Sequence, residues 1–397
     1  MSRNFFYPLL ENPYRKKDLS KAIDVVKSGK LTIGKHTRTF EKLFSKKLKT
    51  KFSLMVNSGS SANLLALQCL INPYRKKRLK RGDSVLIPTV CWSTSLWPVI
   101  QSGLKPVFVD VDPKTLNIDI SDLTKKITKK TKALVLVHVL GNSSNMDVLC
   151  KILKKKKIIL IEDTCESLGS KFKNKYLGTF GDFSTFSFYS SHQISSGEGG
   201  MITCRESEDY EILKSLRAHG WSRGLKSEKR IASQNKHLDS RFIFFNSGFN
   251  LRPTDISASI GLSQFKDIDL LNSIRNKNRN LIVNALKKIE IINRDFHFIE
   301  ANENVSPSWF GIPILINEKK NKKNFIKKLE SNGVETRPII SGNFLKQPAV
   351  KKYKLVNKKR FINSDIINNQ GFFIGLPTKK INNSYIKRVV KAFEKSI

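Results

Sequence analysis

The segment Ser187-Phe-Tyr-Ser-Ser-His192-Gln-Ile-Ser-Ser-Gly-Glu-Gly-Gly200 sets a single imidazole above a glycine-rich turn. The apolar run Phe183 to Tyr189 reads as a buried strand, and Met201 to Cys204 reads as the next one. Gly197, Gly199 and Gly200 allow the tight turn between them, so His192 sits at a loop mouth. No lysine occurs between Lys175 and Lys214. An imidazole cannot form an imine with a carbonyl, but it titrates near neutrality and moves protons.

Three other runs offer partners for that imidazole. Asn57-Ser-Gly-Ser-Ser61-Ala-Asn63 precedes an apolar helix, Leu64 to Leu70. Small residues and hydroxyls at a helix start suit a phosphate, with Gly59, Ser60 and Ser61 as contacts, although an ordinary helix cap has the same look. Ile161-Glu-Asp163-Thr-Cys-Glu166-Ser closes a uniformly apolar strand, which carries Asp163 to the usual ligand crevice; a capping aspartate is the competing reading. Trp92 follows Pro88-Thr-Val-Cys at another strand end and offers a flat indole, whereas Trp97 reads as core packing. His138 ends an apolar strand and reads as a satisfied core histidine. His36, His237 and His297 lack any partner pattern.

These runs, with Gly82-Asp83, Trp92-Ser-Thr, Leu116-Asn-Ile-Asp-Ile, Arg217-Ala-His-Gly-Trp, Ser308-Trp-Phe-Gly and Arg337-Pro-Ile-Ile-Ser-Gly-Asn-Phe-Leu, resemble the DegT/DnrJ/EryC1/StrS sugar aminotransferases over nearly the whole chain. That family belongs to the fold-type I pyridoxal phosphate enzymes. Its members carry a Schiff-base lysine five residues after the serine of a Ser-Phe strand, and here that position is His192. The exchange marks the family's dehydratase branch. The resemblance implies pyridoxal or pyridoxamine phosphate held noncovalently, with His192 as catalytic base. It puts Ser187 with Gly59, Ser60 and Ser61 on the phosphate, Asp163 on the pyridine nitrogen and Trp92 on the ring face. Glu166 stands near the ring hydroxyl, where aminotransferases of the family carry Gln or His. Asn250, in Gly248-Phe-Asn250-Leu-Arg252, would reach the partner's phosphate, and Arg252 a carboxylate or the substrate, unless the run is a core-edge turn. His219, Arg223, Arg337 and Asn343 are candidates for the sugar nucleotide.

The expected activity is therefore C3 dehydration of a nucleotide-linked 4-keto-6-deoxyhexose by a homodimer, with glutamate as amino donor and ammonia released. A sugar-nucleotide 4-aminotransferase is the alternative that the missing lysine disfavours. A CDP-sugar 3-dehydratase with an iron–sulfur cluster would need cysteines beyond the histidine motif, and only Cys204 is there. A nucleic-acid-binding regulator that keeps the fold is the alternative of another class.

Strand and helix signals must position these residues. Apolar runs at Ser53–Val56, Ser84–Ile87, Lys105–Val111, Ala133–Val139, Lys157–Ile161, Phe183–Tyr189 and Met201–Cys204 alternate with helical stretches, which argues for an α/β architecture with a mostly parallel sheet. The resemblance supplies the number, seven strands, and a smaller C-terminal α+β domain. The division expected is 1–265 for the cofactor domain with its leader and 266–397 for the small one. Within the leader, a helix over Leu19–Ser28 with Ala22, Ile23, Val25 and Val26 as its apolar side ends at Gly29.

A chain of 397 residues, 39% hydrophobic, can bury a large core. Its net charge of +39 would suit an anionic partner. The lysines are scattered in short clusters among Asn, Ile and Phe, as an AT-rich coding sequence would give, so nucleic acid is not the expected partner. Five widely spaced cysteines form neither a disulfide framework nor a zinc pattern. Neither a secretory pattern at the start nor an eighteen-residue apolar run is seen, and a cytoplasmic enzyme is expected.

Overall fold

The computed structural model describes residues 5–355 and 360–397, so residues 1–4 of the opening lie outside it. Seven strands build the main sheet: β1 (Phe52–Val56), β2 (Ser84–Pro88), β3 (Lys105–Val109), β4 (Thr131–Val137), β5 (Ile159–Asp163), β6 (Phe183–Ser187) and β7 (Gly200–Cys204). Their order is β1-β7-β6-β5-β4-β2-β3. Only β7 runs antiparallel to its neighbours; β2 to β6 pair in parallel, as the alternation of strands and helices requires. Every residue of β2, β6 and β7 is buried, the signature of a sheet covered on both faces.

Several strand ends differ from the sequence expectation, and two of them have a visible cause. The fifth strand begins at Ile159 rather than Lys157, because Lys157 adopts φ 54° and caps the preceding helix, Met146–Lys156. The sixth ends at Ser187, whose partner Gly200 opens β7; Phe188 already closes a turn by accepting from the Ser196 amide.

In the leader, α1 (Lys16–Lys27) ends as the glycine predicts, with Gly29 at φ 67°. Its apolar side is covered only in part. Val25 is buried, but Leu19, Ile23 and Val26 stand 44%, 52% and 55% exposed, a stripe spaced i, i+4, i+7 along one face. Next, α2 (Lys35–Leu48) buries Phe40 and Phe44 against Phe186, Phe188 and Phe265. Two further helices, α3 (Gly59–Leu70) and α4 (Ser93–Gln101), start at the carboxyl ends of β1 and β2.

Beyond α5 (Asp255–Phe265), the long α6 (Ile268–Lys287) leads to a four-stranded antiparallel sheet. Its strands β8 (Phe296–Phe298), β9 (Ile312–Ile316), β10 (Thr336–Arg337) and β11 (Gly371–Ile374) lie in the order β8-β9-β11-β10. The final helix, α7 (Asn383–Glu394), packs on α6. Tyr7 joins this second body: its amide donates to the Gly333 carbonyl (3.0 Å) and its hydroxyl to the Gly375 carbonyl (2.7 Å). A small three-stranded sheet pairs Val305–Ser306 with Lys171–Phe172 and so ties the two bodies together.

The buried side of α6 is polar as well as apolar. Asn272, Arg275, Asn278 and Arg279 are buried on it and donate to carbonyls of neighbouring loops. That side grips backbone that forms no ladder of its own.

Candidate functional site

Parallel strands leave their carboxyl ends at one edge of the sheet, and the helices that follow start there. Asp163 ends β5 and is 4% exposed. Its Oδ2 accepts from Asn63 Nδ2 on α3 (2.9 Å) and from Ser95 Oγ on α4 (2.7 Å), while Oδ1 accepts from the Cys165 amide (3.3 Å). Thr185 of β6 holds Asn63 in turn, donating to its Oδ1 at 2.7 Å. Four elements thus fix one buried carboxylate by hydrogen bonds.

The N-terminus of α3 lies against this point. Ser58 caps the helix, its Oγ accepting from the Ser61 amide (3.1 Å). The amides of Gly59 and Ser60 occupy the first two helical positions and have no intrahelical acceptor. A methyl group on Gly59 would lie 2.7 Å from Ser187 Cβ and 2.9 Å from Cys165 Sγ, and one on Gly200 would lie 2.4 Å from the Ser58 carbonyl carbon. Only glycine allows these backbones to approach so closely. The hydroxyls of Ser60 and Ser61 pair with Thr94 Oγ1 and Ser58 Oγ at 3.0 Å, and Ser187 is buried beside them. Gly59, Ser60, Ser61 and Ser187 thus lie together at the start of α3.

His192 hangs over the same edge. Its Nδ1 lies 2.6 Å from the Cys165 carbonyl, an acceptor only, so Nδ1 carries the proton and Nε2 the lone pair. Among the described residues no protein group hydrogen-bonds Nε2. The Phe310 ring meets the imidazole edge-on at 5.2 Å. Burial pushes the imidazole pKa down to about 4, and the bond to Cys165 and the charge of Asp163 only partly oppose it. The residue nevertheless keeps an exposed edge, so this is a neutral base open to the cleft. Nearby, Glu166 Oε2 accepts from the Leu140 amide (3.0 Å), and burial pushes its pKa up to about 7. Burial also raises the Cys165 thiol well above its ordinary range, which makes it a poor nucleophile.

Trp92 stands 57% exposed just before α4, free to cover a ring. The loop after β10 borders it: Ser341 Oγ donates to the Cys91 carbonyl (2.8 Å) and the Phe344 amide to the Thr89 carbonyl (2.9 Å). Asn343 lies in that loop, but its side chain is spent within the chain. Its Nδ2 donates to Asp365 (2.9 Å) and its Oδ1 accepts from the Leu345 amide (3.1 Å), which gives it a capping role within the chain. Arg337 is exposed and pairs with Glu335 (2.9 Å).

Asn250 and Arg252 are joined to each other, Arg252 Nε donating to Asn250 Oδ1 at 3.0 Å. Their strand-like run lies along Ala218 and His219. His219 holds φ 62° and stacks edge-on with Trp221 at 5.3 Å, and Arg223 is exposed. No contact within the described residues joins this group to Asp163 or His192. Sequence reading missed Asn63, Ser95 and Thr185, which hold Asp163 from afar. His138 is the core residue expected: its Nε2 lies 3.0 Å from Glu162 Oε2 and its Nδ1 3.0 Å from Ser143 Oγ. Among the described residues no cluster of metal-ligating side chains exists.

Comparison with known proteins places this geometry. The chain is 37% identical to the GDP-4-keto-6-deoxy-D-mannose 3-dehydratase of Escherichia coli O55:H7 over 375 residues, covering 93% of this chain and 95% of the relative. The E. coli GDP-4-keto-6-deoxy-D-mannose-3-dehydratase solved with bound hydrated PLP superposes with a TM-score of 0.90 at 35% identity, over 98% of this chain and 99% of the other. A GDP-4-keto-6-deoxymannose-3-dehydratase with a trapped PLP-glutamate geminal diamine gives 0.89 at 35% identity, over 98% and 100%. The DegT/DnrJ/EryC1/StrS aminotransferase pattern matches residues 13–394, and the chain belongs to that family.

Proposed function

We propose that the chain is a pyridoxal/pyridoxamine phosphate-dependent 3-dehydratase of a nucleotide-linked 4-keto-6-deoxyhexose, with glutamate as amino donor. The observation that carries this reading is His192: a neutral imidazole with a free Nε2 stands where the family's aminotransferases hold an amine.

The residues fit the cofactor. The free amides of Gly59 and Ser60 at the start of α3, with the hydroxyls of Ser60, Ser61 and Ser187, would hold the phosphate. Asp163 would supply the buried carboxylate for a pyridinium nitrogen, Glu166 would meet the ring hydroxyl, and Trp92 would cover the ring. When bound, the cofactor supplies an electron sink next to the sugar's C4. The chain's part is to hold the cofactor between Asp163 and Trp92 and to take a proton on His192 Nε2 as the C3 hydroxyl leaves. Over one cycle the sugar loses its C3 oxygen, glutamate becomes its 2-oxo acid and the nitrogen leaves as ammonia. GDP-4-keto-6-deoxymannose is the substrate to test first.

Arg252, His219, Arg223 and Arg337 are assigned to the substrate rim, where a guanidinium fork suits diphosphate or carboxylate. Asn250 and Arg252 serve the site of a second copy, and the enzyme works as a homodimer. The exposed stripe Leu19, Ile23 and Val26, with Phe242 and Phe244 at 57% and 55% exposure, supports that assembly. The domain boundary falls after Phe265. All five cysteines are free, which fits the cytoplasm.

The test is His192→Asn. The variant should bind pyridoxamine phosphate as the wild type does and lose turnover by about 10²- to 10⁴-fold. Full turnover in the variant would remove the base from the reading.

A further inference from the structure

Arg275, on α6, is 2% exposed, and among the described residues no carboxylate lies within ion-pair distance of it. A buried guanidinium without a counter-charge is costly, and chains keep one where its field or its fork is used. Both are aimed at one place. Nε donates to the Trp309 carbonyl (3.0 Å) and the terminal nitrogen to the Phe310 carbonyl (2.6 Å). The same strap is held from two other sides. The Phe310 amide donates to the Leu140 carbonyl (3.1 Å), and Gln193 Nε2 donates to the Ser308 carbonyl (3.1 Å). Gln193 follows His192 in sequence, and Phe310 is the ring that meets the imidazole.

Building on the functional reading above, we propose that Arg275 is a positioning residue for His192. By gripping two successive carbonyls it sets the Phe310 ring against the imidazole, and its buried charge opposes protonation of that imidazole. Among the described residues the groups bearing on His192 are Asp163 and Cys165 from the end of β5, Tyr189 from its own turn at 6.4 Å between rings, and Arg275 from α6. Asp163 favours the charged imidazole and Arg275 disfavours it, after burial itself. Burial also lowers the guanidinium pKa, to about 10, so Arg275 stays cationic across the range in which an imidazole titrates.

Two substitutions separate the field from the fork. Arg275→Lys keeps the charge but cannot span both carbonyls; Arg275→Met removes both functions. In cofactor-free protein, the His192 side chain is followed by ¹⁵N NMR against pH and assigned by its loss in His192→Asn. The midpoint should rise in Arg275→Met, with burial still holding it below the ordinary value of about 6.5, and stay at the wild-type value in Arg275→Lys. In the holoenzyme, Arg275→Lys should lower kcat about 10- to 100-fold with little change in KM. Phe310→Ala should do the same, and the double variant should lose no more than the worse single one. Arg275→Lys and Phe310→Ala keep the test open if Arg275→Met does not fold. A wild-type midpoint in folded Arg275→Met, or a double variant whose loss is the product of the two singles, would overturn the proposal. The titration needs no substrate. A normal midpoint shift alongside a product other than the deoxygenated ketone therefore faults the functional reading and leaves the role of Arg275 standing.

Discussion

A histidine that must accept a proton at neutral pH has to be neutral, oriented and unoccupied. His192 meets these conditions through one carbonyl, one aromatic edge and burial. His192→Lys should change the chemistry of attachment: an amine there gives a borohydride-reducible phosphopyridoxyl adduct, whereas the wild type should give none at any lysine. Recovery of a stoichiometric adduct from the wild type would contradict the noncovalent site. Asp163 was legible as a carboxylate at a strand end, but its donors were not, since Asn63 and Ser95 lie 100 and 68 residues from it in sequence. Hydrogen bonds to a charged group are worth about 1.5–3 kcal/mol each. Ser95→Ala should accordingly weaken cofactor binding roughly 10-fold or more, measured by fluorescence titration. Glu166 gives a pH signature. Its folded pKa of about 7 exceeds the unfolded value of about 4.3, so the folded state holds the extra proton between these limits. The stability tied to that proton is fully present below the lower limit and is lost as pH rises through the upper one. Glu166→Gln never ionises, and its melting temperature should gain on the wild type as pH climbs through that window. A constant difference would show that the carboxyl is not buried as described.

Among the elements, the start of α3 and the end of β7 depend on each other. The methyl of Gly200→Ala would meet backbone, not a movable side chain. The substitution should push the helix start off the sheet and release the phosphate, seen as cofactor loss on dialysis, with secondary structure retained by circular dichroism. Glu162 shows the structural counterpart of the same strand end. Fully buried, it accepts from His138 and from the amides of Gly178, Phe180 and Gly181 at 2.6–3.0 Å. Glu162→Ala should cost about 3–5 kcal/mol in urea unfolding, since it leaves a set of buried donors unpaired. The strands were legible because a doubly covered sheet writes continuous apolar runs. Their ends were less so, because a left-handed residue such as Lys157 carries no mark in its type. For α1, periodicity reports an apolar face and not whether the same chain covers it.

At the scale of the molecule, α6 and the small three-stranded sheet hold the two bodies at the cleft, and the Asn250–Arg252 run lies apart from Asp163 and His192 in one chain. Replacing Leu19, Ile23 and Val26 together by Asp should give monomers in sedimentation velocity and lower activity with them; an active, stable monomer would show that each chain completes its own site. The fate of oxygen and nitrogen separates dehydration from transamination. Wild-type enzyme should be incubated with pyridoxal phosphate, glutamate and GDP-4-keto-6-deoxymannose, the product identified by mass and the ammonia counted. A sugar that has lost its C3 oxygen and kept the C4 ketone, with one ammonia released per product, is the predicted result. A product that keeps its C3 oxygen and carries a new C4 nitrogen would contradict it and return the enzyme to transamination.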